Sequence, residues 1–131
     1  MIVDSSALLA VILNEADEPR FAEAMIDAPS LRMSAVNWVE AAIVVDSHKN
    51  PAAKVRFEDL TTELRLEIVP VTAADAYRTR VAHNDFGRGH HPARLNFGDC
   101  FAYALAKQAR EALLFKGNDF SQTDIEPALK D

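Results

Sequence analysis

Met1-Ile2-Val3-Asp4-Ser5-Ser6-Ala7-Leu8-Leu9-Ala10-Val11-Ile12-Leu13 is the stretch on which the reading of this chain turns. Three apolar residues stop at an aspartate, two serines follow, and a second apolar run then continues. That is the pattern of a short buried strand, a turn and a helix. The unit recurs. Arg32 to Ala35 reads as a second strand, Ser34 is placed to cap a helix from about Ala35 to Ser47, and Asn50-Pro51 is a cap-and-first-turn pair that opens the next helix. Leu66 to Val71 is a third strand; Thr72 and Asp75 have capping-box spacing for a helix that carries Ala76, Val81 and Ala82 and closes at Gly87. A loop of about nine residues rich in Gly, His and Arg follows. Asn96 and Asp99 repeat the cap spacing ahead of the alanine-rich run Cys100 to Ala109, and Leu113 to Lys116 is the last strand. Glu18 to Ala28, between two prolines, is read as a further helix. Continuous apolar strands alternating with helices imply an α/β fold, with a mostly parallel sheet covered on both faces.

The chain has 131 residues and is 49% hydrophobic, enough for one core, so a single domain over residues 1–131 is expected. No apolar run approaches the roughly 18 to 20 residues that span a bilayer, and the apolar start is broken at Asp4 without a basic stretch before it. The expectation is a cytoplasmic protein with no membrane association. Cys100 is the only cysteine and lies within an apolar helical run, which reads as a packed thiol. Fourteen Lys and Arg against twenty Asp and Glu give a formal charge of -6, the wrong sign for long-range attraction to a polyanion. Cations are nevertheless concentrated locally, since Arg78, Arg80, Arg88, His90, His91 and Arg94 fall within seventeen residues.

Three carboxylates stand alone in apolar surroundings. Asp4 is the one charge in residues 1–14, Glu40 the one charge in residues 33–45, and Asp99 the one charge in residues 95–106. A carboxylate withdrawn from water without a partner costs several kcal/mol, so it is ordinarily neutralised, paired or bound to a metal. No Lys or Arg in those stretches is an obvious partner. If the three converge, repulsion adds to the cost and a divalent cation relieves it, with Mg²⁺ or Mn²⁺ suited to hard oxygen ligands. Asp4 follows a strand and Asp99 opens a helix, which puts both at the carboxyl ends of a parallel sheet; Asp119, after the last strand, reaches the same edge. Glu40 shares a helix face with Val36 and Val44 and is expected to point inward. Simpler readings compete. Asp4 can be a helix cap, Asp99 the third residue of a capping box, and Asp119 a turn residue after Gly117-Asn118, whereas a mid-helix Glu40 has no capping role.

Four segments together resemble a known family. They are Met1-Ile-Val-Asp4-Ser5-Ser6-Ala7-Leu8; Ser34-Ala-Val-Asn-Trp-Val-Glu40-Ala; Leu95-Asn96-Phe97-Gly98-Asp99-Cys100 running on to Ala106; and Leu114-Phe-Lys-Gly-Asn-Asp119-Phe120. In order and spacing they are similar to the PIN domains of VapC-type toxin ribonucleases, over nearly the whole chain. The resemblance implies an α/β/α sandwich and an acidic pocket of Asp4, Glu40, Asp99 and Asp119 holding Mg²⁺ or Mn²⁺. It also implies Ser5 as a supporting hydroxyl, hydrolysis of RNA, a homodimer, and a VapB-like antitoxin as partner. Related sequences often carry an acid two positions before the last aspartate; here that position is Gly117, so Asn118 or a water is expected to fill part of the role, as Asn96 supports Asp99. Metal-activated water would then attack the phosphodiester, and no side-chain nucleophile is required. The loop holding Arg88 and Arg94 is the candidate contact for phosphate or antitoxin.

Two other classes compete with this reading. A haloacid-dehalogenase-type phosphatase needs a second aspartate two residues after the first, and Ser6 stands there; a receiver domain needs its acceptor after a mid-chain strand, where this chain has Pro70-Val71-Thr72. A catalytically silent binding module of the same fold would have no use for the set of acids.

Overall fold

The computed structural model describes residues 1–130. Ile2 and Val3 are both fully buried, and this follows from where the first strand, β1 (Ile2–Val3), lies. It pairs in parallel with β2 (Arg32–Ser34) on one side and β4 (Leu113–Leu114) on the other, while β3 (Glu67–Val69) pairs with the far edge of β2. The order is therefore β3-β2-β1-β4, all parallel, with Ile2 opposite Arg32 and Leu113 and Met33 opposite Ile68. The chain walks outward from β1 to β3 and then crosses back to add β4 beside β1. At such a reversal, connections leave the sheet in opposite directions and open a crevice beyond the strands' carboxyl ends.

The strands are shorter than the apolar runs that announce them, each for a local reason. Ser34 already caps the next helix, its Oγ accepting from the Val36 amide, so β2 stops before Ala35. Pro70 has no N–H to continue the ladder beyond β3. Lys116 turns its amide to the Ser6 hydroxyl rather than to a neighbouring strand, which leaves β4 as two residues.

Among the described residues six helices enclose this sheet: α1 (Ser5–Ile12), α2 (Glu18–Asp27), α3 (Ala35–Ser47), α4 (Pro51–Glu63), α5 (Ala73–Phe86) and α6 (Phe97–Ala109). Side chains alternate across a strand, so neighbouring residues of β1 and β4 feed different cores. Val3, Leu114 and Met33 pack with Leu8 of α1, Phe21 of α2, Val45 of α3 and Phe57 of α4. Ile2 and Leu113 pack on the opposite face with Leu95, Cys100, Ala102 and Ala106 and with Phe120. The result is the three-layered α/β/α arrangement. Cys100 is buried, as the sequence suggests, and burial together with the Asp99 charge pushes its thiol up to about 11. No described helix is long and apolar enough to cross a membrane.

An acidic site at the carboxyl end of the sheet

Asp4 leaves the end of β1 at the point where the strand order reverses. Its Oδ2 does the work of a helix cap, accepting the Ser6 amide at 3.1 Å, and also accepts the Ser6 hydroxyl at 2.5 Å. Ser6 Oγ in turn accepts the Lys116 amide at 3.0 Å, so one hydroxyl joins the loop after β4 to the loop after β1. The other carboxylate oxygen, Oδ1, is buried with no hydrogen-bond partner, and the residue is only 3% exposed. An orphaned buried acceptor costs about 1–3 kcal/mol, more if charged. Burial accordingly pushes the Asp4 carboxyl up to about 6; the Ser6 bonds oppose this and the Glu40 charge adds to it.

Asp99 is at once a cap and an acid of the site. Its Oδ2 accepts the Asn96 amide at 3.0 Å while Asn96 Oδ1 accepts the Asp99 amide at 2.8 Å, a closed capping box at the start of α6. The residue is 8% exposed. Burial, despite the Asn96 hydrogen bond, pushes its carboxyl up to about 7, and the charges of Asp4, Asp119 and Glu40 all act in the same direction. The three lone carboxylates of the sequence therefore lie at the same end of the sheet, Asp99 within electrostatic reach of Asp4 and Glu40, and Asp4 of Glu40.

Glu40 is placed differently from expectation. The buried face of α3 is formed by Asn37, Ala41 and Val45, whereas Glu40, Val36 and Val44 are half-buried at its margin, because Ala41 and Val45 are the residues that pack into the core with Val3, Met33 and Leu114. The carboxylate still reaches the site. Its Oε1 accepts the Asn37 amide at 2.9 Å, and it lies against the backbone of Gly98, where a Cβ would overlap both of its oxygens. Asn37 is fully buried and donates a second bond, 2.9 Å, to the Gly98 carbonyl.

Ser6, not Ser5, is the supporting hydroxyl: the side chain two residues past Asp4 points back at its carboxylate across the first turn, and Ser5 contributes through its backbone amide. Asp119 is exposed on the loop after β4, with a charge that Asp99 feels. Asn118 is exposed beside it, its carbonyl accepting the Ser121 amide and hydroxyl. Arg88 and Arg94 are exposed on the loop between α5 and α6; Arg88 N donates to the Leu95 carbonyl and Leu95 N to the Phe86 carbonyl, closing the neck of that loop just before the Asn96 cap. A cavity of about 440 Å³ beyond β4, lined by Phe21, Phe115, Lys116 and Asn118 among others, contains none of Asp4, Glu40 and Asp99. Sequence reasoning overlooked Ser6, Asn37 and Gly98 as members of the site. Asn37 had a visible signal, as a lone amide one turn before a lone glutamate in an apolar helix.

These residues fit a hard divalent cation. The donors are carboxylate oxygens, one of them buried and unsatisfied, and two of the acids hold protons more tightly than ordinary carboxylates because they are buried, first, and beside other acids. Among the described residues no three His, Cys, Asp or Glu form a ready-made ligand cage. Mg²⁺ does not demand one, since it retains several waters and takes only one or two protein carboxylates.

Comparison with known proteins agrees with this architecture. Residues 1–126 match the PIN domain family. The chain is 45% identical over 130 residues to VapC ribonuclease Mb0625 of Mycobacterium bovis and to ribonuclease VapC28 of Mycobacterium tuberculosis, covering 98% of each chain in both cases. Among solved structures it is similar to VapC20 of Mycobacterium tuberculosis, described as a sarcin-ricin loop cleaving toxin, with a TM-score of 0.73 at 16% identity over 95% of both chains. A toxin–antitoxin complex from Klebsiella pneumoniae gives a TM-score of 0.69 at 16% identity, over 94% of this chain and 92% of that one, and these two likenesses bear on the fold alone. With its motifs, its sheet order and its relatives in agreement, the chain belongs to the PIN-domain family, in the VapC group.

Proposed function

We propose that this protein is a metal-dependent endoribonuclease, the toxin half of a toxin–antitoxin pair, acting in the cytoplasm on RNA phosphodiesters. The observation that carries the reading is the buried, partnerless Oδ1 of Asp4, beside acids whose charges add to the burial that raises the proton affinity of Asp4 and Asp99. The names of the 45% identical relatives support the ribonuclease activity, and the descriptions of the two structural neighbours, a toxin and a toxin–antitoxin complex, are in keeping with the toxin role.

Asp4, Glu40 and Asp99, with Asp119 at the mouth, would hold Mg²⁺ or Mn²⁺. When bound, such an ion lowers the pKa of a water and stabilises charge on the phosphoryl and leaving oxygens. The residues of the chain do the rest. Ser6 and the Asn96 amide each occupy one oxygen of an acid, which leaves Asp4 Oδ1 and Asp99 Oδ1 to face a ligand in a fixed orientation. Arg88 and Arg94 offer the positive charge that the acidic chain otherwise lacks, to an RNA backbone or to a VapB-like antitoxin. The active form is a homodimer in this reading.

The test is cleavage of RNA by purified protein with Mg²⁺ or Mn²⁺ and with chelator. Activity is expected only with metal, and Asp4→Ala, Glu40→Ala and Asp99→Ala should each abolish it. Cleavage that persists in chelator excludes the mechanism. Absence of any Mn²⁺ binding heat would favour a catalytically silent module of the same fold.

A further inference from the structure

We propose that Asn37 is a positioning residue, a clamp that sets the Glu40 carboxylate against the Gly98–Asp99 peptide; the proposal rests on the metal-dependent reading above. Asn37 is fully buried in α3, and its amide nitrogen donates to two acceptors at 2.9 Å each, Glu40 Oε1 in its own helix and the Gly98 carbonyl in α6. Both N–H groups are thereby used. The orientation of the amide is forced, because turning it over would set an oxygen against two other oxygens. Its own Oδ1 is left buried without a partner. An apolar residue of similar size would avoid that orphan, so stability alone does not account for an amide here.

The second half of the clamp is independent of the first. Gly98 has no side chain, and the Glu40 carboxylate occupies the space a Cβ would take. A donor from α3 and a vacancy in α6 therefore fix the same group. Gly98 is the residue before Asp99, so Glu40 is held relative to the backbone that carries the second acid, against the repulsion between them. Without the amide, a half-buried glutamate at a helix margin is free to turn its carboxylate into water.

The experiment is calorimetric titration of the full chain with Mn²⁺, alongside thermal melting and RNA cleavage over a range of Mg²⁺, for the parent, Asn37→Leu, Gly98→Ala and the double variant. Each single change should weaken Mn²⁺ binding roughly 10- to 100-fold, the range for residues that orient metal ligands. The double variant should be little worse than either, because both act on one carboxylate. Cleavage by the single variants should recover in part at high Mg²⁺. A purely structural asparagine would lower the melting temperature and leave the Mn²⁺ affinity of the folded protein alone. Parent-like affinity in folded Asn37→Leu overturns the clamp. If Asn37→Leu does not fold, parent-like affinity in Gly98→Ala overturns it, and failure of both to fold marks the contact as structural and overturns it too. Should the parent itself give no Mn²⁺ response, the metal-dependent reading fails and the clamp falls with it; a responsive parent with an indifferent Asn37→Leu discards the clamp alone.

Discussion

The two ends of the sheet treat charge in opposite ways. At the amino end, Glu111 receives the Met1 amino group at 2.5 Å on one carboxylate oxygen and the Arg32 guanidinium on the other, and the same amino group donates to the Ser30 carbonyl at 3.0 Å. These donors, the amino group first, hold the Glu111 carboxyl below its ordinary range. At the carboxyl end, Asp4 and Asp99 are more deeply buried, have only neutral donors, and are pushed up to about 6 and about 7. One end is neutralised by the chain itself, and the other is left for something to be bound. The acids of the proposed site are set apart from Glu111 by deeper burial together with the lack of a cation paired to them.

The contrast can be broken most severely at the acidic end. Asp99→Asn and Asp4→Asn keep an oxygen able to cap their helices but remove the charge. Cleavage should fall on the order of 10³-fold or more, while the melting temperature in chelator should be unchanged or higher. A variant that is both inactive and unfolded would mean that capping was the whole role. The corresponding change at the other end, Glu111→Ala, should do the reverse. It leaves the Arg32 guanidinium and the amino terminus unpaired and should lower stability by about 1–3 kcal/mol, with the activity of the folded fraction intact. Denaturant melts with activity normalised to folded protein would check this.

The pH dependence sharpens the comparison further. Asp4 and Asp99 bind protons more tightly folded than unfolded, so their contribution to stability is lost as pH rises from the ordinary carboxylate range, near 4, through about 6 to 7. Glu111, Asp75 and Asp124 are lowered instead, and their contribution is lost as pH falls below that range. In chelator, stability should therefore decline by at least about 1 kcal/mol between pH 4.5 and 7.5, and the decline should vanish in an Asp4→Asn/Asp99→Asn double variant. Mn²⁺ affinity should climb over the same interval, because protons must leave before metal binds. The smallest effect belongs to the loop before α6. Arg88→Ala or Arg94→Ala should weaken RNA binding about 3- to 10-fold with a shallower salt dependence. If RNA affinity is untouched while that for an antitoxin drops, the loop serves the partner instead.

The fold was legible because its signals are local. The strand candidates at the centre and one edge of the sheet, Ile2 and Val3 and Leu113 and Leu114, are continuous apolar runs, and the Thr72/Asp75 and Asn96/Asp99 pairs close as capping boxes. The acids were legible as exceptions within apolar stretches. What escaped depends on relations across the chain. Ser6 was indistinguishable from Ser5 without knowing that Lys116 would arrive to donate to one of them. Gly98 reads as an ordinary residue near a helix start until Glu40, 58 positions earlier, is found in the space above it. Strand ends were overestimated because hydrophobicity runs on where hydrogen bonding does not, as at Pro70 and Lys116.

The central place of β1 has a consequence for when the protein comes alive. Strand β1 lies between β2 and β4, and β4 comes from residues 113–114, so one edge of β1 waits open while more than a hundred residues are made. At about 5–20 residues per second that interval lasts several seconds or more. Of the groups of the site Asp4 is made first, Glu40 and Asp99 follow, and the Lys116 amide that steadies Ser6 comes after all three. A nascent chain still missing β4 therefore has its acids without the frame that aligns them, and the acidic site is not complete until residue 116 has been made.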